Sequence, residues 1–592
     1  MRAIRELPLA APLLLVALAL FFGGGPSDGS IFWLGAGAAF AILVLLASVG
    51  VPGGWSAVVP LVALAIWCAA SISWSWLPDR SWDYANRALV YALFAAVGLW
   101  AAGRTHSLAN GLAVVLGALV CWSLLGKVLP FVYDYGGPDV TRLRGPIGLW
   151  NQLALATDYA LALALAIRRL PGTLLAYLGI VALVLTYSRG GVLTALVVCA
   201  AWFAFAGDRA DRLVTLAAAG VPAAAVGAIA FALPGVTSDA QPSHVRWHDG
   251  LVFGLLLVVG AAVATVLERL PRPRDTPATR RLALAGAVLA IAAIVVFVAV
   301  HGIASGAVGN GGTRLGSTSS NFRFTWWRQA WHGFGDHPLA GVGAGAFNLL
   351  NLRYRTSFLD YTIEPHDLPV QFLAEVGIVG LGLLVVAFAA LMRPALHRGG
   401  REFALALFLP AFLVHSLVDV DWDFVAVAAP AFVAAGALAG RPAVGRVRGF
   451  ALLPAGGVAL LVLGSLVSPW LARRYADDAL AASPHRAIVL ADRAHSLDPL
   501  LVEPFWAKAY AEASRGRDRA AFAQFVAAVR RQPKNPQTWL AAGEYAKTAG
   551  CPYLEYQYLE KYTELDPNAR PSAGGDDYRD ALAKVNNREY TC

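Results

Sequence analysis

A series of apolar runs, each close to the length that crosses a lipid bilayer, limits the fold of this chain more than any other feature. Hydrophobic residues make up 58% of the 592 residues and charged residues only 14%, a balance that no soluble domain of this size has. Since a membrane helix needs about 20 apolar residues, the sequence predicts an all-α polytopic membrane protein with about 12 to 15 transmembrane helices. The runs lie at about 7–22, 31–50, 57–75, 84–102, 108–129, 149–168, 172–187, 190–206, 212–233, 249–268, 281–300, 368–392, 401–418, 422–440 and 449–469.

Lysine and arginine are distributed unevenly among the loops that connect these runs. Arg2 and Arg5 precede the first run, and no small-x-small cleavage site follows it, so we interpret it as a membrane helix and not as a signal peptide. Cytoplasmic loops are enriched in these two residue types, which predicts a cytoplasmic amino terminus and a cytoplasmic loop at 268–281. The same rule predicts that the 301–367 loop and the carboxyl-terminal tail lie outside.

The sequence divides into four parts on this basis. We predict transmembrane helices over 1–300, a large extracytoplasmic loop with part of an active site over 301–367, further transmembrane helices over 368–470 and a soluble domain over 471–592. The formal charge of +9 comes mostly from short loops and does not indicate nucleic-acid binding. Cys551 and Cys592 lie in the last part, where they could pair in an oxidising compartment.

Prolines recur every 34 residues in the tail, at Pro499, Pro533 and Pro567. A 34-residue period with helix–turn–helix content resembles the tetratricopeptide repeat. Stacked repeats of this kind present a concave surface, so the tail is predicted to dock a protein partner rather than to carry chemistry. The alternative is a plain helical cap.

A histidine lies where a polar loop meets an apolar run. The segment YTIEPHDLPVQFLAEVGIVGLGLL, at 361–384, carries His366 with Glu364 and Asp367 beside it. A histidine at such a border can accept or donate a proton near neutral pH, and a neighbouring carboxylate can orient its ring. The alternative is that His366 caps a helix or lies at an interface.

Arginines and an amide accompany this histidine on the predicted outer side. Guanidinium groups bind phosphate through forked, charge-assisted hydrogen bonds, so a cluster of them could hold a lipid-linked pyrophosphate. A single arginine at a membrane border more often extends toward the lipid headgroups. The glycines at 341, 343 and 345 would let the backbone approach a ligand closely, although no nucleotide-binding motif follows them. The candidate residues are Arg142, Arg144, Asn151, Arg189, Arg323 and Arg328.

Four motifs in a fixed order resemble the superfamily of O-antigen ligases, repeat-unit polymerases and bacterial O-linked protein oligosaccharyltransferases. The most specific is the last, in which His366, Gly377 and Gly380 follow the ligase spacing. Asp367 departs from the pattern, because the family more usually has an amide or a serine there. The resemblance covers about 140–385, and its motifs are RLRGPIGLWN, YSRGG, NFRFTWWRQAW with HPLAGVGAGAF, and HDLPVQFLAEVGIVGL.

The resemblance implies a GT-C-like membrane glycosyltransferase of the O-antigen ligase type, with its active site on the outer side of the cytoplasmic membrane. Such an enzyme transfers a glycan en bloc, with inversion, from undecaprenyl pyrophosphate to the hydroxyl of a lipid, glycan or protein acceptor. It implies no metal or other cofactor. His366 would be the base, and Arg189 and Arg323 would bind the pyrophosphate. Substrate-binding roles would fall to Arg142, Arg144, Asn151, Arg328, Glu364 and Asp367.

Other functions stay open at this point. A repeat-unit polymerase or a protein oligosaccharyltransferase would belong to the same superfamily. A transporter of lipid-linked glycans would also have many spans, although we find no two-half repeat typical of that class. A peptidoglycan polymerase of the cell-shape type would rely on an acidic loop residue such as Asp336 or Asp360. The remaining alternative is a non-catalytic membrane scaffold that displays the tail.

Overall fold

Helices form almost all of the regular structure. A computed structural model describes residues 2–133, 141–205, 209–271, 312–395, 399–447, 449–569 and 573–587, with scattered positions between 276 and 304. Most of the predicted run at 281–300, part of the 301–367 loop, and Cys592 therefore lie outside the described residues. In the described parts, the only strands are Val51–Gly53 and Arg441–Val444, which pair antiparallel. The all-α prediction is confirmed.

Seven helices among the described residues are long and apolar enough to cross a membrane, which confirms a multi-pass membrane protein. Shorter apolar helices occupy further predicted runs. The seven are Ile4–Phe22, Asp28–Ser48, Thr105–Val128, Arg209–Ala230, Ser243–Glu268, Leu368–Met392 and Gly449–Leu480, and the shorter ones are Trp55–Ser71, Leu170–Thr186, Arg189–Phe205 and Val425–Ala439. Other predicted runs correspond to helices Pro78–Leu99, Trp150–Ala166, Gly400–Ala406 and Phe408–Ser416.

The chain forms two compact units. The first comprises Met1–Pro60, Val90–Phe322 and Val386–Gly457. Its centre is formed by the helices Trp150–Ala166 and Val425–Ala439, which are buried along nearly their whole length. Alanine is the commonest residue in both, as is typical of helices that pack closely in membranes. A Cβ on Gly436 would lie 2.0 Å from the carbonyl oxygen of Ala95, so the backbones are in direct contact there.

The second unit comprises Leu61–Leu89, Arg323–Val385 and Val458–Cys592. It contains the larger part of the helix Leu368–Met392, here called the motif helix, whose path breaks at Gly377 (φ 68°, ψ −171°). Such a break is tolerated at membrane depth where protein groups satisfy the freed backbone. The amides of Val342 and Gly343 do so, donating to the carbonyls of Ala374 (3.1 Å) and Glu375 (2.8 Å).

The tail of the second unit is a series of helices, each of which contacts the next. Helices end at Leu497, Arg531 and Leu565, each two residues before one of the recurring prolines. Buried residues at Ala509, Phe525 and Tyr545 connect successive helices into one core. The assignment to the tetratricopeptide family stays a prediction. The helices are Pro484–Leu497, Glu503–Ala513, Asp518–Arg531, Pro536–Thr548, Pro552–Leu565 and Ala573–Asn586.

Candidate active site

The imidazole of His366 is held by its own loop in the second unit. Nδ1 lies 3.0 Å from the main-chain carbonyl oxygen of Glu364. Since a carbonyl only accepts hydrogen bonds, Nδ1 carries the hydrogen of the neutral ring and Nε2 is the basic nitrogen. His366 adopts a positive φ of 58°, which is uncommon for a residue other than glycine and is seen at sites where function restricts the backbone.

Two tryptophans fix the loop from one side. Trp326 stacks on the His366 ring with centroids 4.8 Å apart and an interplanar angle of 27°. Its Nε1 donates to the carbonyl of Asp360 at 2.7 Å, and Nε1 of Trp327 donates to the carbonyl of Pro365 at 3.1 Å. Both belong to the helix Arg323–Asp336, here called the loop helix. These three contacts fix the orientation of the imidazole relative to the loop helix.

Arg323 is the first residue of the loop helix. Residues three and four positions apart share one face of a helix, so Arg323 lies on the face that carries Trp326 and Trp327. It is partly buried, whereas Arg328 is exposed. The two arginines predicted from this segment therefore lie on different sides of the loop helix: Arg323 is on the face that contacts the His366 loop, and Arg328 is on the solvent side.

The carboxylates that flank His366 have contacts of their own. Glu364 lies 3.3 Å from the hydroxyl of Tyr84 and 3.6 Å from the guanidinium of Arg80. Asp367 accepts from the amide of Val370 at 2.9 Å and so caps the start of the motif helix. Burial raises the pKa of the Asp367 carboxyl to about 6. The imidazole is thus oriented by a main-chain carbonyl, where the sequence had indicated a carboxylate.

The other predicted arginines lie in the first unit. Arg142 is buried over the ring of Trp150 (4.0 Å) and donates to the carbonyl of Thr186 (2.8 Å) and to Asn151 (3.1 Å). Asn151 in turn donates to Asp419 at 2.5 Å. Arg142 and Asn151 therefore form one buried polar cluster. Arg144 is partly buried, and its carbonyl accepts from Gly148 at 2.8 Å.

Arg189 begins the helix Arg189–Phe205 directly after a tight turn. Tyr187 in that turn has a φ of 54°, and Arg189 Nη1 donates to the carbonyl of Ser317 at 2.5 Å. The amide of Leu143 donates to the carbonyl of Leu185 at 2.9 Å. The RLRG and YSRGG motifs are therefore neighbours in space, as well as successive in the sequence.

A fully buried histidine–aspartate pair beside this turn was missed by the sequence analysis. His415 Nδ1 lies 2.7 Å from Asp421 Oδ2, and Gln152 donates to the other carboxylate oxygen at 3.2 Å. A Cβ on Gly190 would lie 3.3 Å from His415 Nε2, which places the pair next to Arg189. Its only sequence signal is a histidine and two aspartates, HSLVDVD, at the end of an apolar run.

Two groups of predicted residues have mainly structural contacts. The glycines of GVGAGAF approach protein rather than open space: a Cβ on Gly343 would lie 2.0 Å from Ser75 Oγ, and one on Gly341 2.2 Å from the carbonyl carbon of Glu375. Asp360 is buried within its loop, and Asp336 accepts from Tyr354. Within the described residues, no group of three or more His, Cys, Asp or Glu side chains is arranged to hold a metal ion.

Comparison with known proteins agrees with the motif analysis. Residues 251–385 match a protein-family model described as O-antigen ligase, and this segment contains Arg323, His366, Gly377 and Gly380. A comparison with curated proteins gives no match. The family supports an enzyme of the glycosyltransferase type in a multi-pass membrane protein. The predicted resemblance is therefore confirmed over residues 251–385, where the chain is similar to the O-antigen ligase family.

Proposed function

We propose that this protein transfers a glycan en bloc from undecaprenyl pyrophosphate to an acceptor hydroxyl, with inversion and without a metal, at the outer face of the cytoplasmic membrane. His366 is the general base, and Arg189 and Arg323 bind the pyrophosphate. The observation that carries the proposal is the state of His366: Nδ1 is bonded to a carbonyl and the ring is stacked on Trp326, so Nε2 is the nitrogen that accepts a proton.

The chemistry asks for two protein groups. Pyrophosphate is already a good leaving group, so the enzyme has to stabilise its growing negative charge and remove the proton of the attacking alcohol. An arginine keeps its charge in a partly apolar site and binds phosphate oxygens in pairs, which suits Arg323 at the start of the loop helix. A neutral imidazole serves as the base and typically contributes about 10²- to 10⁴-fold in rate.

The test uses the purified full chain with a lipid-linked glycan and separate candidate acceptors, and the product is measured by mass spectrometry. We expect His366→Ala to lose transfer by at least about 100-fold with unchanged expression and membrane insertion. His332→Ala is the matched control, since His332 is an exposed histidine of the loop helix that stacks on Tyr354. Full transfer by His366→Ala would refute the proposed base.

Acceptor identity separates the members of the superfamily. Ligase activity gives a single transfer to a lipid acceptor, polymerase activity gives a ladder of repeat units, and protein glycosylation gives a shift in the mass of a polypeptide. Ligase activity is our first candidate, because residues 251–385 match the O-antigen ligase family. A transporter or scaffold would retain its function in His366→Ala, since neither class needs a base at that position.

A further inference from the structure

A cavity of about 500 Å³ lies within the second unit, between the tail, the 348–361 segment and the start of the helix Pro78–Leu99. Its volume falls within the range of about 300–1,000 Å³ that is typical of small-molecule sites. The predicted docking role of the tail does not use this cavity, because the cavity lies where the tail faces its own chain. All of its lining residues belong to the second unit.

The lining combines aromatic rings with hydrogen-bonding groups of both kinds. Tyr361, Trp506 and Tyr562 supply rings, and amides, carboxylates and guanidinium groups supply donors and acceptors. Three lining residues have a buried polar atom without a hydrogen-bond partner among the described residues: Asn348 Oδ1, Glu503 Oε2 and Trp506 Nε1. Buried polar atoms are rarely left unpaired, so these three add to the polar character of the lining and favour a ligand with hydroxyl groups over a purely apolar one.

The cavity adjoins the loop of the proposed base. Arg80 lines the cavity and lies 3.6 Å from the carboxylate of Glu364, whose carbonyl orients His366. Tyr361 lines the cavity five residues before His366 in the same loop. A ligand held there is therefore next to the loop that carries His366. Both apolar ring faces and paired polar groups are needed to bind a sugar, which has apolar faces and hydroxyl edges.

We propose that this cavity is a glycan-binding subsite, which holds sugar residues of the donor or of a glycan acceptor beside the His366 loop. The inference rests on the proposed function, since it assigns that function's substrate to a second region of the chain. It also gives the tail a role in substrate selection: the helices Glu503–Ala513, Pro536–Thr548 and Pro552–Leu565 contribute to one wall.

The probe is a panel of soluble oligosaccharides released by mild acid from bacterial undecaprenyl-linked glycans. Binding to the full chain in nanodiscs is measured by saturation-transfer NMR. We expect at least one glycan to bind, and Tyr361→Ala with Gln537→Ala to weaken it by about tenfold or more. Both side chains line the cavity and both are exposed, Tyr361 by 48%, so the double substitution leaves the core intact.

Two controls separate this proposal from the proposed catalysis. Tyr553→Ala removes an equally exposed tail tyrosine (46%) outside the cavity and should leave glycan binding unchanged. His366→Ala should abolish transfer and still bind the glycan. Failure of every glycan to bind, or equal binding by the double variant, would overturn the subsite and leave the assignment of the base untouched. Binding of peptides in place of glycans at Tyr361 would overturn it as well.

Discussion

The contact between the 348–361 segment and the tail should depend on one buried ion pair. Arg355 Nε donates to Asp566 at 3.0 Å, and a second guanidinium nitrogen donates to the other carboxylate oxygen. The two side chains are only 10% and 3% exposed. Both hydrogen bonds of this bidentate pair have good geometry. Because the pair is buried, either charge would be destabilising if the other were removed.

Arg355→Ala would leave the Asp566 carboxylate buried without its cation. Removing one partner of a buried pair costs about 3–5 kcal/mol, and the slight exposure of Arg355 favours the lower end of that range. A loss of about 3 kcal/mol corresponds to roughly 150-fold more frequent opening of the contact. Because the tail makes this contact at the end of the helix Pro552–Leu565, the effect should be concentrated there.

Hydrogen exchange with mass spectrometry on the full chain measures this directly. Amides in 552–569 should exchange about 100-fold faster in Arg355→Ala, while Arg353→Ala, an exposed arginine two residues away, should behave as wild type. Arg355→Ala with Asp566→Ala should recover part of the loss, since the unpaired charge is gone. Unchanged exchange in the single variant, or no recovery in the double, would refute this account of the contact.

Three further predictions concern the motif helix, the tail and the base. Gly377→Ala should lower the free energy of unfolding by about 3 kcal/mol or more, because its Cβ would lie 2.2 Å from the Leu339 carbonyl oxygen. Thermal unfolding in detergent measures this, and Gly382→Ala, where a Cβ meets nothing within 4 Å, is the control. Burial, and secondarily Asp79, raises the pKa of the Glu503 carboxyl from 4.5 to about 7, so between these pH values the folded state holds a proton that the unfolded state releases. The free energy of unfolding should therefore fall by about 3 kcal/mol as the pH rises from 4.5 to 7, and unfolding curves of Glu503→Gln should lack this pH dependence. Trp326→Ala removes the ring under His366 and should lower kcat about tenfold to 100-fold, whereas the exposed Trp331→Ala should not; equal rates in the two variants would contradict a positioning role.

The sequence was sufficient for the features that depend on local pattern. Apolar run length located many of the helices among the described residues to within a few positions, as at 108–129 against Thr105–Val128, whereas the run at 449–469 belongs to a helix that continues to Leu480. The 34-residue spacing of the tail prolines likewise located the end of every second helix. Both signals are periodic and short-ranged, so a single sequence contains them.

Long-range partners could not be obtained in this way. Trp326 is one of several tryptophans in NFRFTWWRQAW, and only the fold shows that its ring contacts His366. Arg80 is distant from Glu364 in the chain, and the pair of His415 with Asp421 depends on how a helix ends. A main-chain carbonyl, that of Glu364, orients His366 in place of the expected carboxylate, because a tight turn with positive φ at His366 brings this carbonyl close to Nδ1.

The glycines of the family motif contact the protein segments that position His366, and this contact explains them better than contact with a substrate would. The break at Gly377 lets residues 338–343 lie against the motif helix, with Ile378 N donating to the Pro338 carbonyl at 2.9 Å. The same approach brings the carboxylate of Glu375 to the amides of Gly345 (2.9 Å) and Phe347 (3.2 Å), at the start of the helix Phe347–Tyr354. A buried carboxylate at a helix amino terminus is stabilised by those amides.

From that helix the contacts continue to the base. Asn351 accepts from the amide of Thr362 (3.2 Å), and the hydroxyl of Thr362 donates to the Glu364 carbonyl (2.8 Å), which also accepts from His366. The Glu364 carbonyl therefore accepts hydrogen bonds from both the Thr362 hydroxyl and the His366 imidazole. The helix break and the base are therefore the two ends of one hydrogen-bonded path through the helix Phe347–Tyr354. A longer or shorter interval between His366 and Gly377 should disturb this path and with it the carbonyl that is bonded to His366 Nδ1, even with every motif residue still present.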